Sequence, residues 1–206
     1  ETSGAGDGAG RVLSAAPACL GTVRVHVAGI PILNGDAGAA PGGGVYNRGH
    51  LLLANSRVCS NTVDASDPGA FGGAGLFSDG ILTVVNSAIY DNVVAGGSGG
   101  GLENYGRATL ADVMVKGNQA HAGGTEPVVG GGIANRGSIT LTSCIVLQNT
   151  AADAGGGLYT GSDMGPTWVV ITGTTIQAND TGIGGGGIEC TGDLVVFNST
   201  VISNTA

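Results

Sequence analysis

Fifteen carboxylates, seven Lys and Arg, three His and four Cys are the groups with which this 206-residue chain could do chemistry. Acid–base work on a glycoside needs two carboxyl groups about 5–10 Å apart. Glu103 and Glu189 hold equivalent places in the repeat described below, yet three units apart, roughly 14 Å at the strand spacing. Asp79 falls beside Arg48 of a neighbouring unit, an exposed ion pair of little energetic worth. No Arg or Lys gathers with two carboxylates, so the pattern contains no catalytic residue. Asp64 and Asp67 share one protruding corner, with Asp153 and Asp180 on the equivalent corners of later units. They form a weak candidate for Ca²⁺, against which the nonapeptide calcium spacing is missing. His26, His50 and His121 lack HxH or HxxxH spacing and lie far apart in the repeat, and no other metal or cofactor is expected. The glycine triplets precede neither a helix pattern nor GK[ST], so they are no phosphate loop.

What positions these groups is a repeat. A glycine pair or triplet, an aliphatic residue and then an asparagine recur six times: Val45/Asn61, Leu76/Asn92, Leu102/Asn118, Ile133/Asn149, Leu158/Asn179 and Ile188/Asn204. Five pairs are 16 positions apart and the Leu158 pair 21, the extra residues falling near Ser162–Pro166. Each asparagine is preceded at three positions by Val or Ile (Val58, Ile89, Val115, Val146, Ile176, Val201) and at eight by Leu, Val or Ile. Alternating inward positions and abundant β-branched residues give a period of two, and no helical period survives ten residues. Units of 25–31 residues cannot bury an apolar face alone and must stack. The fold class is therefore all-β: a single-stranded parallel β-helix (β-solenoid) of about seven coils without significant helix, right-handed by the crossover rule. Its asparagines Asn61, Asn92, Asn118, Asn149, Asn179 and Asn204 stack as an inward structural ladder. Gly49, Gly80, Gly106, Gly137 and Gly192, twelve before five of the six asparagines, are expected at turns with positive φ.

The stretches GGGVYNRG, GGAGLFSDG, GGGLENYG, GGGIANRG, GGGLYTG and GGGIECTG, each followed by an asparagine segment such as CSNTV or ISNTA, resemble a known pattern. They are similar to the GGA-[ILV] and FxxN repeats of polymorphic outer membrane proteins, over residues 42–206. The phenylalanine of FxxN is replaced by Val or Ile. The resemblance implies a secreted or surface-displayed right-handed parallel β-helix, often adhesive, whose motif is architectural rather than catalytic.

Residues 1–16 form an N-terminal extension or partial coil and 17–206 the β-helix, with coils starting near Pro17, Val45, Leu76, Leu102, Ile133, Leu158 and Ile188. In the irregular first coil, Asn34 takes the asparagine place, Pro31 the Val/Ile column, and Cys19 the column of Cys190. Neither end shows a cap, so the two ends complement each other. Head-to-tail stacking into a filament is the expected partnership, with Cys19, Cys190, Asn204, Thr205 and Ala206 as inter-subunit contacts. Cys19 and Cys190 are too far apart to bond within one molecule; Cys59 should face outward, Cys144 should be a small core filler, and the two should not pair. Trp168 lies in an outward column, able to stack on sugar or on a neighbour. A net charge of −8 argues against nucleic acid, and no apolar run is long enough for membrane insertion. One lysine and abundant Gly, Ser, Thr and Asn suit an extracellular or cell-surface location after removal of an export signal. The expected function is a non-enzymatic structural subunit. The rivals are an adhesin that meets a host or neighbouring cell, or its glycans, through the corners at 64–71 and 121–129, and a carbohydrate-active β-helix.

Overall fold

The structure is a computed structural model that describes residues 10–15, 23–65, 71–123, 126–161 and 166–206. Within these, every element is a β-strand and every strand pairing is parallel. The protein is a β-solenoid with three faces.

The first face holds seven three-residue strands, Leu13–Ala15, Val45–Asn47, Leu76–Ser78, Leu102–Asn104, Ile133–Asn135, Leu158–Thr160 and Ile188–Cys190, paired in that order. The second is a twelve-stranded sheet in which each coil contributes two segments, fused in Ile81–Tyr90 and Arg107–Lys116. The third holds five strands, from Thr62–Asp64 to Asp180–Thr181. Five turns, those beginning at Val45 through Leu158, carry strands on all three faces. The flanking coils reach the third face only through the single bridges Asp36–Thr62 and Asp180–Thr205.

The aliphatic columns form the core. Val58, Ile89, Val115, Val146 and Ile176 are fully buried, as are Leu53, Val84, Leu110, Leu141 and Ile171. Burying each such side chain contributes about 1.5–3 kcal/mol. A smaller apolar cluster of Val63, Ala65, Ala74, Val94, Ala120 and Val128 lies under the third face.

The bends, one within the second face and one between the second and third, have a conformational signature. Two whole columns lie in the left-handed region: Gly29, Asn55, Asn86, Asp112, Ser143, Gly173 and Asn198, and Asn34, Ser60, Asp91, Gly117, Gln148, Ala178 and Ser203. Asn, Asp and Gly tolerate this conformation, whereas Gln148 and Ala178 are held there at roughly 1–2 kcal/mol each. The five glycines twelve before an asparagine are not in that region. They are needed for closeness instead: a Cβ on Gly80 would strike the Gly49 carbonyl oxygen, and one on Gly106 that of Gly80.

The first coil departs from expectation. Leu13 pairs with Val45 and Ala15 with Asn47, so by register this coil begins at Leu13, not near Pro17, which lies outside the described residues. Ile32, not Pro31, sits in the Val/Ile column opposite Val58. The ladder place then falls to Gly35, one residue beyond Asn34, whose φ of 58° puts it in the left-handed column.

Candidate functional site: an asparagine ladder and an aromatic groove

The six ladder asparagines lie one above another at steps of 31, 26, 31, 30 and 25 residues. The side-chain Nδ2 of each donates to Oδ1 of the next at 2.8–2.9 Å, from Asn61 through to Asn204. The same Oδ1 also accepts the backbone N–H of the preceding asparagine at 2.9–3.1 Å. The second Nδ2 hydrogen reaches back to a carbonyl of the preceding coil, as from Asn118 to Ile89 at 3.0 Å. An amide has two donors and two acceptor lone pairs, and each interior rung uses all four.

This ladder has a built beginning. Gly35 N–H donates to Asn61 Oδ1, and a Cβ on Gly35 would strike the Gly43 carbonyl oxygen. At the other end Asn204 Nδ2 gives one bond, to Ile176 O, and meets no further rung. Thr205 remains paired to Asn179 O through its N–H.

Two further polar ladders were not anticipated. Asn47, Ser78, Asn104, Asn135, Thr160 and Cys190 share one column, with Asn104 Nδ2 on Asn135 Oδ1 at 2.8 Å. Asn104 Oδ1 has no partner, so this ladder is interrupted below it. In the second, Ser56 N donates to Ser87 Oγ, Cys144 N to Thr174 Oγ1 and Thr174 N to Ser199 Oγ. A column of small polar residues at a fixed offset was the available signal for both.

The first of these columns corrects the cysteine register. Cys190 is matched, coil by coil, down to Ala15, the place that the sequence assigned to Cys19; Cys19 lies outside the described residues. Cys59, Cys144 and Cys190 are free thiols. Cys144 is a buried member of the Ser/Thr ladder, and burial pushes its thiol pKa up. Cys59 stands on the outward side of its strand, between Leu33 and Tyr90, but is 7% exposed rather than open to solvent.

The acidic residues are sorted anew. Arg48 and Asp79 form the expected exposed pair at 3.5 Å. Asp64 matches Ala95 and His121, not Asp153 or Asp180, while Asp153 Oδ2 accepts Val128 N–H. The corner acids thus do not share a column, and Asp67 lies outside the described residues. Among the described residues no group of three or more His, Cys, Asp or Glu could hold a metal. His26 and His50, expected apart, line one shallow depression on the second face.

The groove lies on the outward side of the first face. Tyr46 stacks on Phe77 at 5.5 Å, Phe71 meets Phe77 and Tyr105 edge-on at 5.5 Å each, and Arg11 lies 4.7 Å over Tyr46. Glu103 and Glu189 do share a column, through Ala134 and Tyr159. Glu103 is buried, accepts Gly72 N–H at 2.7 Å and pairs with Arg136 Nε at 3.4 Å. Burial pushes its pKa up to about 7, with Arg136 pulling the other way. Burial, and then the Glu103 charge, raise the Tyr105 hydroxyl. Arg136 sits 5.8 Å from the ring centroids of both Tyr105 and Tyr159.

A pocket of about 360 Å³ lies over this cluster, lined by Phe71, Ser98, Glu103, Glu126, Arg136 and Tyr159 among others. Arg136 pairs with Glu103, and Glu126 lines the same pocket, so one guanidinium and two carboxylates share this site. That gathering was not legible in spacing alone.

Fold and ladders together define the class of protein, a parallel β-solenoid built on asparagine rungs. Compared with family profiles, curated proteins and solved structures, the chain finds no match in any of the three.

Proposed function

We propose that the protein is a non-enzymatic, extracellular structural rod whose coils stack on further parallel coils, head to tail between copies. The observation that carries this is the ladder with the apolar columns beside it: the rungs from Asn92 to Asn179 use every donor and acceptor of their amides, and the columns of Val58 and Leu53 are fully buried through five turns. In the coil of Ile188 the same columns continue with Val196 and Val201, 41% and 51% exposed, and one Asn204 Nδ2 hydrogen meets no acceptor among the described residues. A coil bearing an Asn oxygen in the ladder place would cover the apolar columns and continue the hydrogen bonds. The likeness of the glycine–aliphatic–asparagine units to polymorphic outer membrane protein repeats supports surface display.

Head-to-tail stacking of copies is the form of this reading that needs only this chain. Its junction would bury the apolar columns but would meet Gly35 where the ladder needs an oxygen, so it is weaker than any internal joint. Sedimentation and electron microscopy across a wide concentration range test it. Stacking predicts concentration-dependent rods growing by roughly 34 Å per chain, abolished by Val201→Asp. Particles that stay single at every concentration, with Val201→Asp indistinguishable, would overturn self-assembly.

A further inference from the structure

We propose that the outward groove of the first face, centred on Tyr105, Arg136 and Tyr159, is a binding site for a neutral oligosaccharide. This is independent of end-to-end stacking.

The groove is longer than its first pocket. A second cavity of about 670 Å³ shares Glu126, Pro127, Val129 and Tyr159 with the first and runs on to Glu189 and Thr191. Tyr105 and Thr191 occupy one column three coil spacings apart, roughly 14 Å, enough for a few pyranose rings laid along the stack. Cavities of this size are typical of small-ligand sites.

Its lining matches a sugar. A pyranose offers apolar C–H faces and a rim of hydroxyls, so it is held by aromatic rings with fixed donors and acceptors beside them. Phe71 is 44% exposed and Tyr159 half-buried, giving two aromatic walls with Tyr105. Arg136 is fixed between the tyrosines by Glu103 and Ser98, both 3.4 Å away, which occupy two of its five N–H groups. The others meet no acceptor among the described residues and are free to donate to ring hydroxyls. Glu126 stands exposed at the pocket rim as an acceptor. The buried Glu103 thus acts as a positioning residue that holds the guanidinium in place.

Charge selects among sugars. Glu103, Glu126, Asp153 and Glu189 line the two cavities with Arg136 as their sole guanidinium, on a chain of net charge −8. Uronates and sulfated glycans are repelled by that field. The same field attracts cations, opposed at the centre by Arg136, so a cationic probe separates charge-driven binding from binding by rings and hydrogen bonds.

Calorimetric titration of the whole chain tests this, with a panel of neutral hexasaccharides (cellohexaose, xylohexaose, mannohexaose and N-acetylchitohexaose), hexagalacturonate as the anionic probe and chitosan hexamer as the cationic one. At least one neutral probe should bind. Tyr159→Ala should weaken that binding roughly tenfold or more, with Tyr159→Phe retaining it. Trp168→Ala, on the second face, should leave it unchanged. Circular dichroism of each variant separates lost binding from lost folding. The proposal is overturned if no neutral probe binds, if the anionic or cationic probe binds more tightly, or if a folded Tyr159→Ala binds as well as the parent.

Discussion

At Asn118 a single amide joins three coils: it donates to Asn149 Oδ1 and Ile89 O, and accepts from Asn92 twice. Removing it leaves the Asn92 N–H and one Asn92 Nδ2 hydrogen without an acceptor, and takes one donor from Asn149 Oδ1 and one from Ile89 O. Each lost bond in the dry interior costs about 1–3 kcal/mol before relaxation. Asn118→Ala should therefore lower stability by about 3 kcal/mol or more in a denaturant titration. Asn204→Ala, half-exposed and with a donor already idle, should cost no more than about 1–2 kcal/mol. Equal effects would mean that the rungs act singly rather than as a ladder. Glu103 gives a pH signature. Its folded pKa of about 7 lies above the unfolded carboxylate value, so the folded state binds the extra proton between them. Stability should fall as pH rises from about 4.5 to 7, by up to about 3 kcal/mol from this group. Glu103→Gln should flatten that stretch of the melting-temperature profile, and an unchanged slope would contradict the buried carboxylate.

At the scale of the element, each turn of the coil depends on small residues for two different reasons. The column of Gly80 and Gly106 needs the absence of a Cβ, because the carbonyl below lies against it. The column of Gly117 needs a left-handed backbone, which Asn34 and Ala178 also adopt, and a Cβ at Gly117 would meet only the tip of the Asp91 side chain, which can turn away. Gly106→Ala should therefore destabilise by about 2 kcal/mol or more, while Gly117→Asn should stay within about 1 kcal/mol. Thermal melts of the two variants check this, and reversed magnitudes would contradict the assignment. The contrast also shows where sequence reasoning stops. Periodicity of aliphatics made the five complete turns and the inward ladder legible, since an inward column must repeat its residue type. It assigned positive φ to the Gly80 column, because spacing shows that glycine is needed but not why. In the first coil Pro31 and Asn34 imitated the motif one residue out of register, and the pairing of Ile32 with Val58 decided the matter.

For the whole molecule, cohesion runs along the stack. Nearly every backbone hydrogen bond outside the strands also joins one coil to the next, such as Leu76 N–H to Gly101 O and Ile133 N–H to Gly157 O. The groove was the least legible part. Its rings come from Phe71, Tyr105 and Tyr159, in three different coils and three different columns, and its wall from a corner whose path no repeat dictates. Outward columns are free to vary, so they carry no period to reveal them.

Register is the claim beneath the ladder, the groove and the stacking face alike. Thr83 and Thr109 are direct neighbours on the outward side of the second face, whereas Thr83 and Ala111 are offset by two residues, about 8 Å. The decisive measurement is disulfide formation in chains with Cys19, Cys59, Cys144 and Cys190 replaced by serine. Thr83→Cys with Thr109→Cys should oxidise readily within one molecule, and Thr83→Cys with Ala111→Cys should not. The opposite result, or equal bonding in both, would mean that the coils do not lie over one another as described.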